Sequence, residues 1–247
     1  MGFFDSVKKS LGLASMEMEM RIQPESAHVD GELKGELVVR ALKDIEIFGL
    51  DVILLHGFKD EWGNSSLEVF EKGSAAEMIS MRAGEEEIYP FFIEIPAMVA
   101  PSIGPFSWKI QAQARLKGAA DVKKEQNLHV HFSPIMGAIF DLVKNQFGFV
   151  YQSFGAEEDC LWAEFVPSGA VKNMYRGLEI AFDEQPDDLV LWVSLHPFSQ
   201  RVLQQYSRDY DPSENSIEIE INKRQFLSGS QVNTQGLLGV LQPLFSP

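Results

Sequence analysis

The chain has 247 residues, 21 Lys and Arg against 36 Asp and Glu, a formal charge of −15, 45% apolar residues and one Cys. That apolar share is typical of a folded globular protein, and a single Cys excludes a disulfide framework or a Cys-rich metal site. The charge argues against nucleic acid as a partner, because phosphate binding needs a basic footprint, and no apolar run reaches the roughly 18 residues of a membrane span.

The opening MGFFDSVKKSLGLAS does not read as a secretory signal, since Asp5, Lys8 and Lys9 interrupt any apolar core. A cytoplasmic location is therefore expected, which suits a free Cys160. Met1 to Ser6 fits the loose N-myristoylation pattern. A short amphipathic helix is the simpler reading, with Phe3, Val7 and Leu11 on one face. Phe3, Phe4, Val7 and Leu11 are the candidate partner-binding residues. They would pack on the protein body or meet a partner. With only Lys8 and Lys9 as cations, peripheral membrane contact through this helix would be weak. Asn64-Ser65-Ser66 fits a glycosylation acceptor, which matters only in a secreted chain.

From residue 16 the pattern has period two. Met16, Met18 and Met20 alternate with Glu17, Glu19 and Arg21, as in a half-buried strand. A turn over 28–31 follows. Strands are expected over 36–40, 45–55, 67–70, 77–81, 88–95, 106–116 and 128–132. Short strands separated by turn signals, with almost no helix, are what an antiparallel β-sandwich requires.

Ser133-Pro134 changes the texture. Ser is a good N-cap and Pro is tolerated at the first helical position. Ile135, Ile139, Leu142, Val143 and Phe147 then fall at helical spacing until Gly148 ends the run. Strands resume over 148–153, 161–166, 178–182, 189–195 and 217–221, with a short helix expected over 198–210. The segment from 233 carries Leu237, Leu238, Leu241, Leu244 and Phe245, and is either a docked tail or a frayed end. The chain thus divides into 1–132 and 133–247, joined by a helix. No short-period repeat is present, which excludes solenoids and propellers.

Several residues together resemble a known family. They are Gly2-Phe3-Phe4 with Val7 and Leu11-Gly12, the strand 16–22, and Gly31-Glu32-Leu33-Lys34-Gly35-Glu36-Leu37. They continue with Tyr89 to Pro96, Ser102-Ile103-Gly104, Trp108-Lys109-Ile110 and Asp121. This series is similar to the Spo0M (sporulation-control) family of bacterial proteins, over residues 1–132 and more weakly beyond. The resemblance implies an all-β chain of two tandem arrestin-like antiparallel β-sandwich domains, with a connecting helix and a short N-terminal helix. It implies a non-enzymatic scaffold or regulator of sporulation or a related cell-cycle or stress process. The matching motifs are structural and transfer no catalytic residue. Gly31 at the end of a turn and Gly35 at the start of a strand each have a backbone reason, and Pro90 and Pro96 bracket a strand unsuited to a sheet centre.

The remaining chemistry is sparse. His129 and His131, two apart on a strand, point the same way and could hold Zn²⁺ or Cu²⁺ with a third ligand. No residue at typical spacing supplies one, so no metal site is assigned. Asp209 to Glu220 has acids at several calcium-loop positions but Glu214 where the loop needs Gly. The acidic runs at 85–87, 157–159 and 187–188 read as solvated turns, or as a face for a basic partner. Cys160 beside Glu158 and Asp159 is a poor nucleophile. No nucleophile elbow, P-loop or dinucleotide fingerprint occurs, so neither a catalytic residue nor a cofactor is assigned. The expected activity is protein–protein interaction, with a partner segment adding to a free strand edge and self-association through an edge as a further route. The alternative is a small-ligand protein or enzyme with its site between the two sandwiches.

Overall fold

The computed structural model describes residues 15–60, 62–97, 99–156, 160–197, 216–229 and 231–245. The alternating segments of the first half fold as β1 (Met16–Ile22), β2 (Ser26–His28), β3 (Gly31–Ala41), β4 (Ile45–Lys59), β5 (Ser65–Met81), β6 (Glu86–Ile95), β7 (Phe106–Leu116) and β8 (Val122–His131). They form a three-stranded sheet, β1-β3-β6, and a five-stranded sheet, β2-β8-β7-β4-β5. The short strands expected over 67–70 and 77–81 are one continuous β5, antiparallel to β4 along its length.

Two compact units emerge. The first comprises residues 15–27, 32–95 and 105–130, and the second 28–31, 96–104 and the chain from 131. In the first unit, Leu50, Val52 and Leu54 of β4 and Trp108, Ile110, Ala112 and Ala114 of β7 are all buried, as are Leu33, Leu37 and Val39 of β3 and Phe91, Ile93 and Ile95 of β6. Each strand thus turns alternate side chains inward, and two apolar sheet faces make a sandwich core. Gly35 lies inside β3, opposite Ile22, rather than at a strand start. A Cβ there would stand 2.4 Å from the Phe91 ring and 2.6 Å from the Arg21 carbonyl oxygen. Close approach of its neighbours, not a turn, is what demands glycine.

The second unit contains β9 (Phe149–Ala156), β10 (Leu161–Pro167), β11 (Tyr175–Glu184), β12 (Asp188–Pro197) and β13 (Ile217–Asn222), in the order β13-β12-β11-β10-β9. Helix α1 (Pro134–Asn145) precedes them. As its spacing predicts, Ser133 caps it by accepting the Met136 N–H at 3.3 Å, and Gly148 follows with φ +74°. Ile135, Ile139, Leu142 and Val143 are buried, and the Phe140 ring packs edge-on to Phe165 of β10 at 5.1 Å. A short helix α2 (Lys223–Phe226), the hairpin β14 (Leu227–Ser228) and β15 (Gln231–Val232), and helix α3 (Thr234–Phe245) complete the unit. The tail that the sequence leaves open is docked. Leu237 and Leu241 are buried, the Phe245 ring stacks on Phe147 at 4.0 Å, and the Asn233 carboxamide accepts the Gly236 N–H at 3.0 Å. The helix expected over 198–210 lies outside the described residues. No described helix is long and apolar enough to cross a membrane.

The second unit also buries an ammonium group. Lys223 Nζ lies 3.0 Å from Glu184 Oε1 and 3.1 Å from Asp30 Oδ2, and Lys223 and Glu184 are only 5% and 2% exposed. Ser133 joins this cluster by donating its hydroxyl to Glu184 while accepting the first-turn N–H of α1. Charges buried so deeply persist only when paired and hydrogen-bonded. The cluster therefore ties the turn after β2, the end of β11, α2 and the start of α1 to one point.

Burial holds the Glu184 carboxyl above its usual range, against the opposing pull of Ser133 and Lys223. A carboxyl with a higher pKa folded than unfolded binds its proton more tightly in the fold. Its contribution to stability is then full below about pH 4 and is lost as pH rises through the folded value. Glu184→Gln, which cannot titrate, is expected to flatten the fall of stability with rising pH across that window, measured by denaturation at a series of pH values. Lys223→Ala strands the carboxylate and is expected to cost about 3–5 kcal/mol. Leu237→Ala is expected to cost about 2–4 kcal/mol and to speed amide exchange along α3 while leaving β4 and β7 protected.

Candidate functional site: an exposed sheet edge

An open antiparallel sheet ends in strands with unpaired N–H and C=O groups, and proteins blunt such edges with Pro, shortness or charge. The edges differ here. β1 has 7 residues, β9 has 8 and β13 has 6. β6 has 10 and carries Pro90, which cannot donate to an added strand. β5 is 17 residues long, contains no Pro and pairs only with β4 among the described residues. All eight β5 residues over 65–72 are exposed, including Leu67, Phe70 and Val69 at 65%, and in the half-buried stretch that follows Met78 is 76% exposed. Met78 also adopts φ +53°, a left-handed conformation rare for a residue with a long side chain. At Gly73 the backbone of β6 approaches, with the Phe92 carbonyl oxygen 3.7 Å from where a Cβ would sit.

The outer face of this sheet is charged. Asp51 lies in the middle of β4, within a run of buried apolar residues. Its side chain is only 5% exposed, and Arg115 Nε and Lys72 Nζ approach its Oδ2 at 3.1 and 3.2 Å. Arg115 lies across Gly49, where a Cβ would stand 2.2 Å from the guanidinium Nη2. Lys109 reaches Glu125 at 3.9 Å. Two cations thus share one buried carboxylate, and Lys72 is the cation that stands on the open edge strand.

At the other end of β5 an aromatic cluster closes the core. The His56 ring stacks on Phe106 at 5.5 Å and lies 4.5 Å from Trp108, with Phe70 edge-on at 6.3 Å. Burial lowers the His56 pKa, and nearby Glu68 opposes the shift. Its Nε2 is buried without a hydrogen-bond partner, so this imidazole packs as a neutral ring. The turn beyond it is held by the Asp60 carboxylate, which accepts the N–H groups of Trp62 and Asn64 at 3.0 and 2.7 Å. An open groove of about 1020 Å³ elsewhere in the unit is lined by Lys43, Arg82 and Lys117 and also by Asp44, Glu46 and Glu85. Its mixed charge favours neither sign of ligand.

Of the residues singled out from sequence, Phe3, Phe4, Val7 and Leu11 lie outside the described residues, as do 209–215 of the acidic calcium-like run. The His131 ring packs against His28 at 5.2 Å, tilted by 36°, and His28 Nδ1 is 2.8 Å from the Phe132 carbonyl oxygen. No cluster of three or more His, Cys, Asp or Glu among the described residues could hold a metal ion. The acidic run 157–159 lies outside the described residues, and the other two have local structural partners. Glu85 accepts the Arg82 N–H at 2.6 Å, and the Tyr89 hydroxyl donates to Glu87. Asp187 pairs with Arg224 at 2.8 Å and Asp188 accepts from Asn222 at 3.0 Å. Sequence reasoning missed the length of β5 and the role of Asp51. A lone carboxylate within an apolar strand was the available signal for the second, since such a group must find a cation.

The family model described as SpoOM protein matches residues 4–196. The crystal structure of Spo0M, the sporulation control protein from Bacillus subtilis, superposes with a TM-score of 0.71 at 15% identity, covering 94% of this chain and 98% of that one. The C-terminal domain of wzt gives a TM-score of 0.31 at 14% identity over 47% of this chain and 74% of that one. No curated protein matches. The Bacillus subtilis likeness extends over both units and agrees with the arrestin-like β-sandwich fold that the sequence motifs imply. The chain belongs to the Spo0M family.

Proposed function

We propose that this chain is a non-enzymatic interaction module, acting in the cytoplasm, that takes an extended segment of a protein partner onto the free edge of β5. The observation that carries this reading is the edge itself. It is the longest strand of the molecule's described residues, lies at the end of its sheet and lacks the proline that marks β6. An added strand gains affinity from main-chain hydrogen bonds and specificity from alternate side chains. The exposed Leu67, Val69 and Phe70 offer apolar contacts beside those bonds. The Bacillus subtilis relative is described as a sporulation control protein, and a regulatory role of that kind fits a module that works by holding a partner. The charge of −15 makes nucleic acid a poor candidate for that partner.

A photo-crosslinking residue placed at position 69 in the full chain is expected to capture a reproducible protein partner in cells, and one placed at Glu220 of β13 is not. Amide exchange of the purified complex should then show β5 newly protected. In the chain without the crosslinker, Val69→Lys should abolish that complex and the protection of β5 while changing stability by no more than about 0.5 kcal/mol, because the side chain is exposed. Capture from β13 but not from β5, or a complex in which β5 exchanges as in the free chain, would refute the proposal.

A further inference from the structure

We infer that the strand received by β5 is charge-segregated: a carboxylate opposite Lys72 and apolar side chains opposite Leu67 and Val69 on one face, and a cation opposite Glu68 or Glu71 on the other. This rests on the β5 reading and adds the chemistry of the partner segment.

The pairing decides which β5 residues share a face. Leu67, Val69, Lys72 and Ser74 oppose Gly57, Leu55, Ile53 and Asp51 of β4, while Glu68, Glu71 and Gly73 oppose His56, Leu54 and Val52. The first set lies on the outer face with Asp51, and the second on the side of the packed core. A register shift between Leu54 and Leu55 lengthens the spacing from Val69 to Lys72 to three residues. Across the outer face, Lys109, Gln111, Gln113 and Arg115 of β7 oppose Leu55, Ile53, Asp51 and Gly49. Lys123, Glu125 and Asn127 of β8 follow in the next column. The strands of this face therefore hold Lys72, Lys109, Arg115 and Lys123 against Asp51, Glu77 and Glu125, with Asp121 accepting from Gln113. The chain as a whole carries −15, whereas on this face cations and carboxylates balance, and Lys72 is the cation at the open edge.

Asp51 is already shared between Arg115 and Lys72, and Lys72 keeps half of its side chain exposed at the open edge. Residues directly opposite on neighbouring strands have Cβ atoms about 5 Å apart, where opposite charges attract and like charges repel. A carboxylate on an added strand therefore meets a cation that lacks a full counter-charge, and a Lys in its place meets two cations. On the other face Glu68 and Glu71 reverse the preference. The overall negative charge repels an acidic segment at a distance, while the local attraction acts within a Debye length of about 8 Å at physiological salt. The preference should accordingly appear in the dissociation rate more than in the association rate.

The test uses the full chain and two short synthetic strands of identical composition. One carries Val, Val and Glu on one face with Lys on the other, and its isomer has Glu and Lys exchanged. Fluorescence anisotropy is expected to show the first bound about tenfold more tightly than the isomer, with β5 amides protected. Lys72→Gln should erase the order with only a small fall in melting temperature, because Arg115 still pairs with Asp51, and Lys72→Glu should reverse it with a larger fall, because it sets a second carboxylate beside buried Asp51. Equal binding of both strands with β5 protected overturns the inference and leaves the edge reading intact. If neither strand protects β5, both the inference and the edge reading are overturned. A concentration-dependent dimer of the free chain with β5 already protected identifies a second copy as the occupant and overturns the inference as well.

Discussion

A sheet that does not close into a barrel has to stop, and its last strand keeps a row of backbone donors and acceptors facing outward. That constraint governs this protein more than any cluster of side chains. The five-stranded sheet of the first unit starts at the three-residue β2 and ends at the seventeen-residue β5. Its inner face is filled by β4 and β7 residues with almost no exposure, which fixes the orientation of β4. Because β5 pairs with β4 over its whole length, the edge inherits that rigidity. An edge anchored along its length to a buried neighbour is preorganised for an added strand and costs little ordering on binding.

Both units solve the problem of buried charge in the same way. In the first, Asp51 is neutralised by Arg115 and Lys72, and in the second Lys223 is neutralised by Glu184 and Asp30. The difference lies in what remains exposed. Lys223 is enclosed, so its cluster serves architecture by linking a turn, a strand end and a helix start. Arg115 and Lys72 keep about half of their side chains in solvent, so the first cluster projects charge outward beside the edge. The same chemistry is structural in one place and available for recognition in the other because of burial alone.

Much of the architecture was legible in the sequence. Strands with one dry and one wet face, such as β7 with Trp108, Ile110, Ala112 and Ala114, imprint a period of two on the residues. Helix α1 was marked by Ser133, Pro134 and the spacing of Ile135, Ile139 and Val143. The sequence predicts two short pieces in place of β5 because all its side chains over 65–72 face water, and a strand wet on both sides leaves no alternation to detect. The tail beyond 233 was ambiguous because Leu237 and Leu241 are equally compatible with fraying. Docking became visible only with Phe147 beneath Phe245.

By itself, the amino-acid order determined the class of fold, the position of α1, the family resemblance and the lack of a recognisable catalytic motif. Those features rest on local periodicity, capping and turn chemistry, which act over a few residues. The tertiary structure alone decided that Asp30, Glu184 and Lys223 meet, that Asp51 joins Arg115 and Lys72, and that β5 ends its sheet beside β4. Each of these depends on which strands pair, and pairing joins residues tens to nearly two hundred positions apart. No local pattern encodes that choice; it follows from how the apolar faces of whole strands are buried together.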